Sequence, residues 1–202
     1  MTMKSHPIRL KTPKRTCIKS YKVYRSYKPY LAQDFNRSCG YCGDFDGWSG
    51  GIKVYHIDHF VPKSLFPHLQ NKYYNLVYAC PYCNASKSND WPTGKEKIFC
   101  TETEGYIDPC DTEYEQHLYR NSVGAILPKS TVGAYMHRTL KLFLRRHEVI
   151  WNVTQLKYVL DEIKLILVKE NLNIPPKKIE QLKCLYAELN LEFHEYLDYI
   201  IS

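Results

Sequence analysis

The chain has 202 residues, 44% of them apolar and 14% aromatic, and a formal net charge of +7, which is enough apolar material for one or two small domains with a buried core. No apolar run approaches the ~20 residues of a membrane span, and Met1 to Arg15 has no hydrophobic stretch after its basic residues, so neither a span nor a secretory leader is expected and a cytoplasmic location is the default. The charge is local: residues 1–38 carry ten Lys or Arg against one acid, and residues 39–202 carry eighteen against twenty, which assigns any polyanionic partner to the N-terminal arm.

From Lys4 to Arg37 basic residues interleave with aromatics. Tyr21, Tyr24, Tyr27 and Tyr30 recur every third position, and Lys22, Arg25 and Lys28 follow the same step. Such a strip can neutralise phosphates and stack on bases, or its tyrosines can dock a basic tail on the domain that follows. Pro29 suits the first turn of a short helix through Leu31 and Phe35.

Two cysteine pairs follow, Cys39-Gly40-Tyr41-Cys42 and Cys80-Pro81-Tyr82-Cys83, separated by thirty-seven residues. Four thiolates in two such knuckles make a closed tetrahedral zinc site. The other four cysteines, Cys17, Cys100, Cys110 and Cys184, are scattered, so reduced thiols around a metal explain the composition better than disulfides do. Between the pairs, residues 43–51 are turn-rich, and the β-branched and aromatic run Ile52 to Ile57 is expected to form a strand. Its alternation sets His56 and Asp58 on one face, with His59 at the strand end. Leu76 to Ala79 is the second expected strand, and Cys83 to Lys87 opens a helix that carries Asn84.

Cys39 and Cys42, Asp58-His59 followed by Pro62-Lys63, Asn75-Leu76, and then Cys80, Cys83, Asn84 and Lys87 resemble the HNH endonucleases in their zinc-bound ββα-metal form. The resemblance covers about a quarter of the chain. The wording from His56 to Ser64 is similar to HNH nucleases paired with ATPases in anti-phage defence of the Septu and retron type. What the resemblance implies is a general base at His59, a metal-binding Asp58, and Asn75 holding the loop that orients His59. Asn84 stands where a histidine is frequent, which makes the motif H-N-N. An amide oxygen is a hard ligand, so Asp58 with Asn84 is expected to favour Mg²⁺ or Mn²⁺. His56 is expected to be structural or to support a ligand from behind. Lys63 and Lys87 join Lys22, Arg25 and Lys28 as expected nucleic-acid contacts, with a solvated Lys87 as the alternative.

Between Trp91 and Leu127 the chain is polar and turn-rich, and is expected to wrap the zinc domain. The carboxylates Asp108, Asp111, Glu113 and Glu115 repeat no known binding-loop spacing and are read as solvated. From Thr131 the periodicity becomes helical: a stripe of Tyr135, Met136, Leu140, Phe143 and Leu144, a second of Leu156, Val159, Leu160, Ile163 and Leu167, and a last helix after Pro175-Pro176. Arg138, Lys141, Arg145 and Arg146 are helix-borne cations that either face DNA or coat an exterior. On the last helix Ile179, Leu182, Tyr186, Leu189, Phe193, Tyr196 and Ile200 step by threes and fours in coiled-coil register. That seam closes either on the preceding helices or on a second polypeptide.

The expected fold class is α+β: a ββα-metal, treble-clef-like zinc module at residues 1–127, followed by a helical module at 128–202. The expected function is a DNA endonuclease with structural Zn²⁺ and catalytic Mg²⁺ or Mn²⁺, acting with an ATPase partner or as a homo-oligomer through the C-terminal helices, and not at a membrane. The rival readings are a zinc module that binds nucleic acid without cutting it and an adaptor subunit.

Overall fold

The computed structural model describes residues 5–169 and 174–201; Lys4, the first residue of the basic arm, lies outside that range. A 3₁₀ turn at Tyr24–Tyr27 leads into helix α1, Lys28–Asp34, with Pro29 in its first turn, where a missing backbone N–H costs nothing. Strands β1, His56–His59, and β2, Leu76–Ala79, pair antiparallel with Asp58 opposite Val77 and His59 opposite Leu76. Helix α2, Pro81–Lys87, follows directly and completes the ββα unit.

The first strand begins later than its composition indicates. Gly50 and Gly51 both take positive φ and start a 3₁₀ turn, Gly51–Lys53, which leaves Ile52 and Val54 exposed rather than strand-paired. Only His56 and Ile57 at the end of the run, which have β2 as a partner, become strand.

The segment after Trp91 does wrap the zinc unit, and it does so with more structure than its polarity announced. A short helix α3, Tyr114–His117, leads into an antiparallel hairpin of β3, Leu118–Arg120, and β4, Ile126–Pro128. Tyr106, Tyr114 and Leu118 are fully buried. The acids hold the N-terminal segment down: Asp108 pairs with Arg15 at 2.9 Å and Glu115 with Arg9 at 3.2 Å.

Three helices follow as expected: α4, Thr131–Thr139; α5, Arg145–Val168; and α6, Pro176–Ile201. Val132, Tyr135, Met136, Leu140 and Leu142 belong to the same buried core as the four knuckle cysteines, so the core runs without a break across position 128. Two stripe residues do not follow their period inward, because Phe143 and Val159 stay exposed. Helix α6 packs on α5. Arg145, at the start of α5, lies over the Tyr199 ring at the end of α6, so the pair is antiparallel. No helix among the described residues is long and apolar enough to cross a membrane.

Candidate metal centre and nuclease site

Cys39, Cys42, Cys80 and Cys83 are wholly buried, and their four sulfurs lie within 4.8 Å of one another. The Cys42 and Cys80 sulfurs are 3.8 Å apart, the separation that tetrahedral Zn–S bonds of about 2.3 Å require. All four thiols are free of disulfides, and the donor set fits zinc. Local backbone shapes the two knuckles. Cys80 caps α2 by accepting the Cys83 N–H on its sulfur. Gly43 takes φ of +76°, and a Cβ there would meet the Ile8 carbonyl oxygen at 2.3 Å, so the first knuckle needs glycine at that point.

A second sulfur-containing group, Cys42 with Asp44 and His147, is an ion-pair hub rather than a metal centre. The buried Asp44 already meets Arg146 at 2.8 Å, His147 Nδ1 at 2.7 Å and Arg120 at 3.7 Å, and the two guanidinium charges leave no place for a cation. Arg120 also donates to the carbonyls of Cys42 and His147. Through these contacts the first knuckle is tied to β3 and to the start of α5. Arg138, Arg145 and Arg146 lie over tyrosine rings of their own chain, so these helix cations serve packing.

Beside the zinc cluster, β1 and α2 open a cavity of about 450 Å³ whose lining includes His56, Asp58, His59, Lys63 and Asn84, with Arg25 and Lys28 at its edge. His59, at the end of β1, donates from Nε2 to the Gln70 carbonyl at 2.9 Å. A carbonyl can only accept, so the proton sits on Nε2 and Nδ1 keeps a free lone pair. Burial is the largest influence on the ring and lowers its pKa below the ordinary 6.5. The Tyr24 ring stands edge-on to it at 4.7 Å.

Asn75 bonds the backbone of Val61 twice, accepting its N–H at 2.8 Å and donating to its carbonyl at 2.9 Å. This pins the chain just after His59. Asn84 Nδ2 lies 2.9 Å from His56 Nδ1; with the amide nitrogen donating, His56 holds Asn84 so that its side-chain oxygen is left to act as a ligand.

Asp58 accepts the Tyr41 hydroxyl on Oδ2, and the same oxygen lies 3.3 Å from the Lys87 ammonium. Lys87 is completely buried, donates to the His59 carbonyl at 3.1 Å, and lies within 6 Å of the Trp91 and Tyr106 rings. This corrects the expectation for Lys87. Its charge is spent on Asp58, away from both a bound phosphate and solvent, because the last turn of α2 points it into the core. Of the other expected contacts, Arg25, Lys28 and Lys63 line the cavity, whereas Lys22 is exposed and does not. The tyrosines combine both readings of the strip: Tyr27 is buried in the core, while Tyr24 carries the Lys63 ammonium 4.5 Å above its ring at the site. Sequence reasoning missed Tyr41 and Gln70, and read Tyr24 only as one of the tyrosine strip. Only the chain direction at Gln70 matters, since it contributes a carbonyl, and no side-chain signal could have found it.

An antiparallel hairpin and a helix built on a four-cysteine cluster, with Asp-His at the end of the first strand, define a zinc-bound ββα-metal module. Residues 39–90, about a quarter of the chain, match the family model of the HNH endonuclease. Comparison with curated proteins and with solved structures returned no match.

Proposed function

We propose that the chain is a metal-dependent endonuclease that hydrolyses phosphodiester bonds of DNA in the cavity between β1 and α2. The observation that carries this reading is the His59 tautomer: Nε2 is committed to the Gln70 carbonyl, which leaves Nδ1 as the acceptor of a residue that lines the cavity with Asp58 and Asn84. Neutral imidazole fixed in this way takes the proton of an attacking water while the water oxygen bonds to phosphorus and the bond to the 3′ oxygen breaks. Asn75 keeps the loop still, the Tyr24 edge restricts ring rotation, and Arg25, Lys28 and Lys63 neutralise flanking phosphates. Asp58 and Asn84 fit a hard divalent ion, and bound Mg²⁺ or Mn²⁺ supplies the charge that stabilises the developing oxyanion and the leaving oxygen.

Plasmid DNA, and separately RNA, incubated with the protein in Mg²⁺ or Mn²⁺ tests this. His59→Ala is expected to lower cleavage by roughly 10²–10⁴-fold with DNA binding and zinc content unchanged. Equal cleavage by wild type and variant refutes the assignment of the base.

The wording from His56 to Ser64 supports a finer reading, in which the nuclease is an anti-phage effector acting with an ATPase partner. Co-expression with a co-transcribed ATPase is then expected to raise turnover. Full turnover by the isolated chain, unaltered by the ATPase, rules that pairing out.

A further inference from the structure

A second cavity, of about 590 Å³, lies between the extended segment Arg15–Tyr21 and the loop Pro67–Tyr74. It shares that loop with the nuclease site: Gln70 accepts from His59, and Asn71 accepts the Tyr24 N–H at 2.9 Å. Four of the described residues lining it are basic, Arg15, Lys19, His68 and Lys72, and none of the described lining residues is a carboxylate. Two of the four are already satisfied, Arg15 by Asp108 at 2.9 Å and His68 by Glu96 at 3.1 Å. Among the described residues, neither of the other two pairs with a carboxylate: Lys19 donates to the Tyr30 hydroxyl at 2.8 Å, and Lys72 is exposed at the rim. Beside Lys72, the Tyr74 side chain is 62% exposed, so its ring is open to a stacking partner.

We propose that this groove binds an unpaired stretch of the nucleic acid whose scissile phosphate occupies the HNH cavity; the inference rests on the nuclease reading above. Lysines not paired with carboxylates, beside an exposed tyrosine, are the elements of single-strand recognition, in which ammonium groups follow the backbone and the ring stacks on a base. A duplex presents its bases edge-on and stacked within itself, so it has no face to offer Tyr74. The favoured substrate class is therefore a duplex with a single-stranded extension, or a fully single-stranded nucleic acid, entering past Tyr24.

The test uses the full chain carrying His59→Ala so that binding is read without cleavage, with fluorescence anisotropy on a blunt duplex and on the same duplex bearing a single-stranded extension. The extension is expected to tighten binding by about tenfold, and adding Tyr74→Ala with Lys72→Ala to abolish that gain while leaving blunt-duplex affinity and zinc content unchanged. Lys72→Ala alone is expected to reduce the salt dependence of binding by about 0.7 in the log–log slope, the share of one single-strand phosphate contact. Identical affinities for the two substrates, or a gain that survives both substitutions, overturn the proposal, and cleavage of blunt DNA by the wild type then leaves the nuclease reading standing. Extension-dependent binding that requires Tyr74 and Lys72, in a wild-type protein that cuts nothing either alone or with the ATPase present, supports the groove and refutes the nuclease reading instead.

Discussion

His59 is ready to accept a proton because burial makes its charged form expensive. The consequence for activity has a definite sign. With the folded-state pKa below 6.5, the base form predominates at neutral pH and declines as pH falls toward the lowered value. The acid limb of a kcat/KM profile is expected under pH 6.5, and a limb at or above it would exclude His59 as the titrating base. Stability carries the same sign: the depressed pKa makes protonation oppose folding, so the contribution present above 6.5 is lost as pH falls through the lowered value. Lys87 is the other residue with a sharp consequence. It is fully buried against Asp58, and removing one member of a buried pair costs about 3–5 kcal/mol because the remaining charge is stranded. Lys87→Met is expected to lower thermal stability by that amount in Mg²⁺-free buffer, and by less in millimolar Mg²⁺, where an ion at Asp58 offsets the lost ammonium. Equal losses in both buffers would show that Lys87 is not coupled to an ion at Asp58.

Among the elements, the knuckle pair decides whether the ββα unit exists. Its two strands are four residues each, too short to be stable alone, and a structural zinc worth about 10–16 kcal/mol in small peptides supplies what they lack. Purified protein is expected to contain one zinc per chain, and Cys80→Ser to lose the metal and unfold, as followed by metal analysis and circular dichroism. A variant that keeps its melting temperature would contradict a structural role. The position of β2 was legible from its short apolar run, whereas the helix after it, read from Cys83, begins two residues earlier at Pro81. The true start of β1 was not legible, because backbone pairing with β2 overrides the local preference of Ile52 and Val54. The β3–β4 hairpin left only a faint trace, Asn121 and Gly124 in the turn between two three-residue strands, and strands that short carry no readable alternation.

In the molecule as a whole, the Asp44 hub joins the zinc module to the long α5–α6 hairpin, and Trp48 clamps the junction by donating to Thr154 at 2.9 Å and meeting the Phe193 ring at 6.0 Å. All seven seam residues of α6 are half-buried, whereas Leu185, Leu191 and Ile201 off the seam are exposed. The seam is thus turned toward α5 and the zinc module within the chain, and charge at Phe193 would damage this fold rather than report on a partner. On the opposite helix Leu165 and Val168 are exposed too, and apolar surface on both helices of a projecting hairpin is what a protein contact covers. Association with an ATPase partner or a second copy, proposed above from the resemblance, is expected to fail in Leu165→Glu with Leu191→Glu, measured by co-purification and light scattering, with zinc content retained. Association unchanged by both substitutions would place the contact elsewhere.

Spacing determined the zinc knuckles and the three C-terminal helices, because CxxC ligation and helical period are local in the chain, and the resemblance singled out the Asp58-His59 pair. Which atoms face the cavity was decided only by the fold. Lys87, read as a surface cation, became the buried counter-ion of Asp58 because the last turn of α2 packs on Trp91 and Tyr106, residues brought there by a segment with no motif. His59 acquired its tautomer from the carbonyl of Gln70, and the basic arm came to lie along the site because Tyr27 is buried in the core. Each depends on contacts between segments distant in the chain, and side-chain type at one position carries no record of what tertiary packing sets against it.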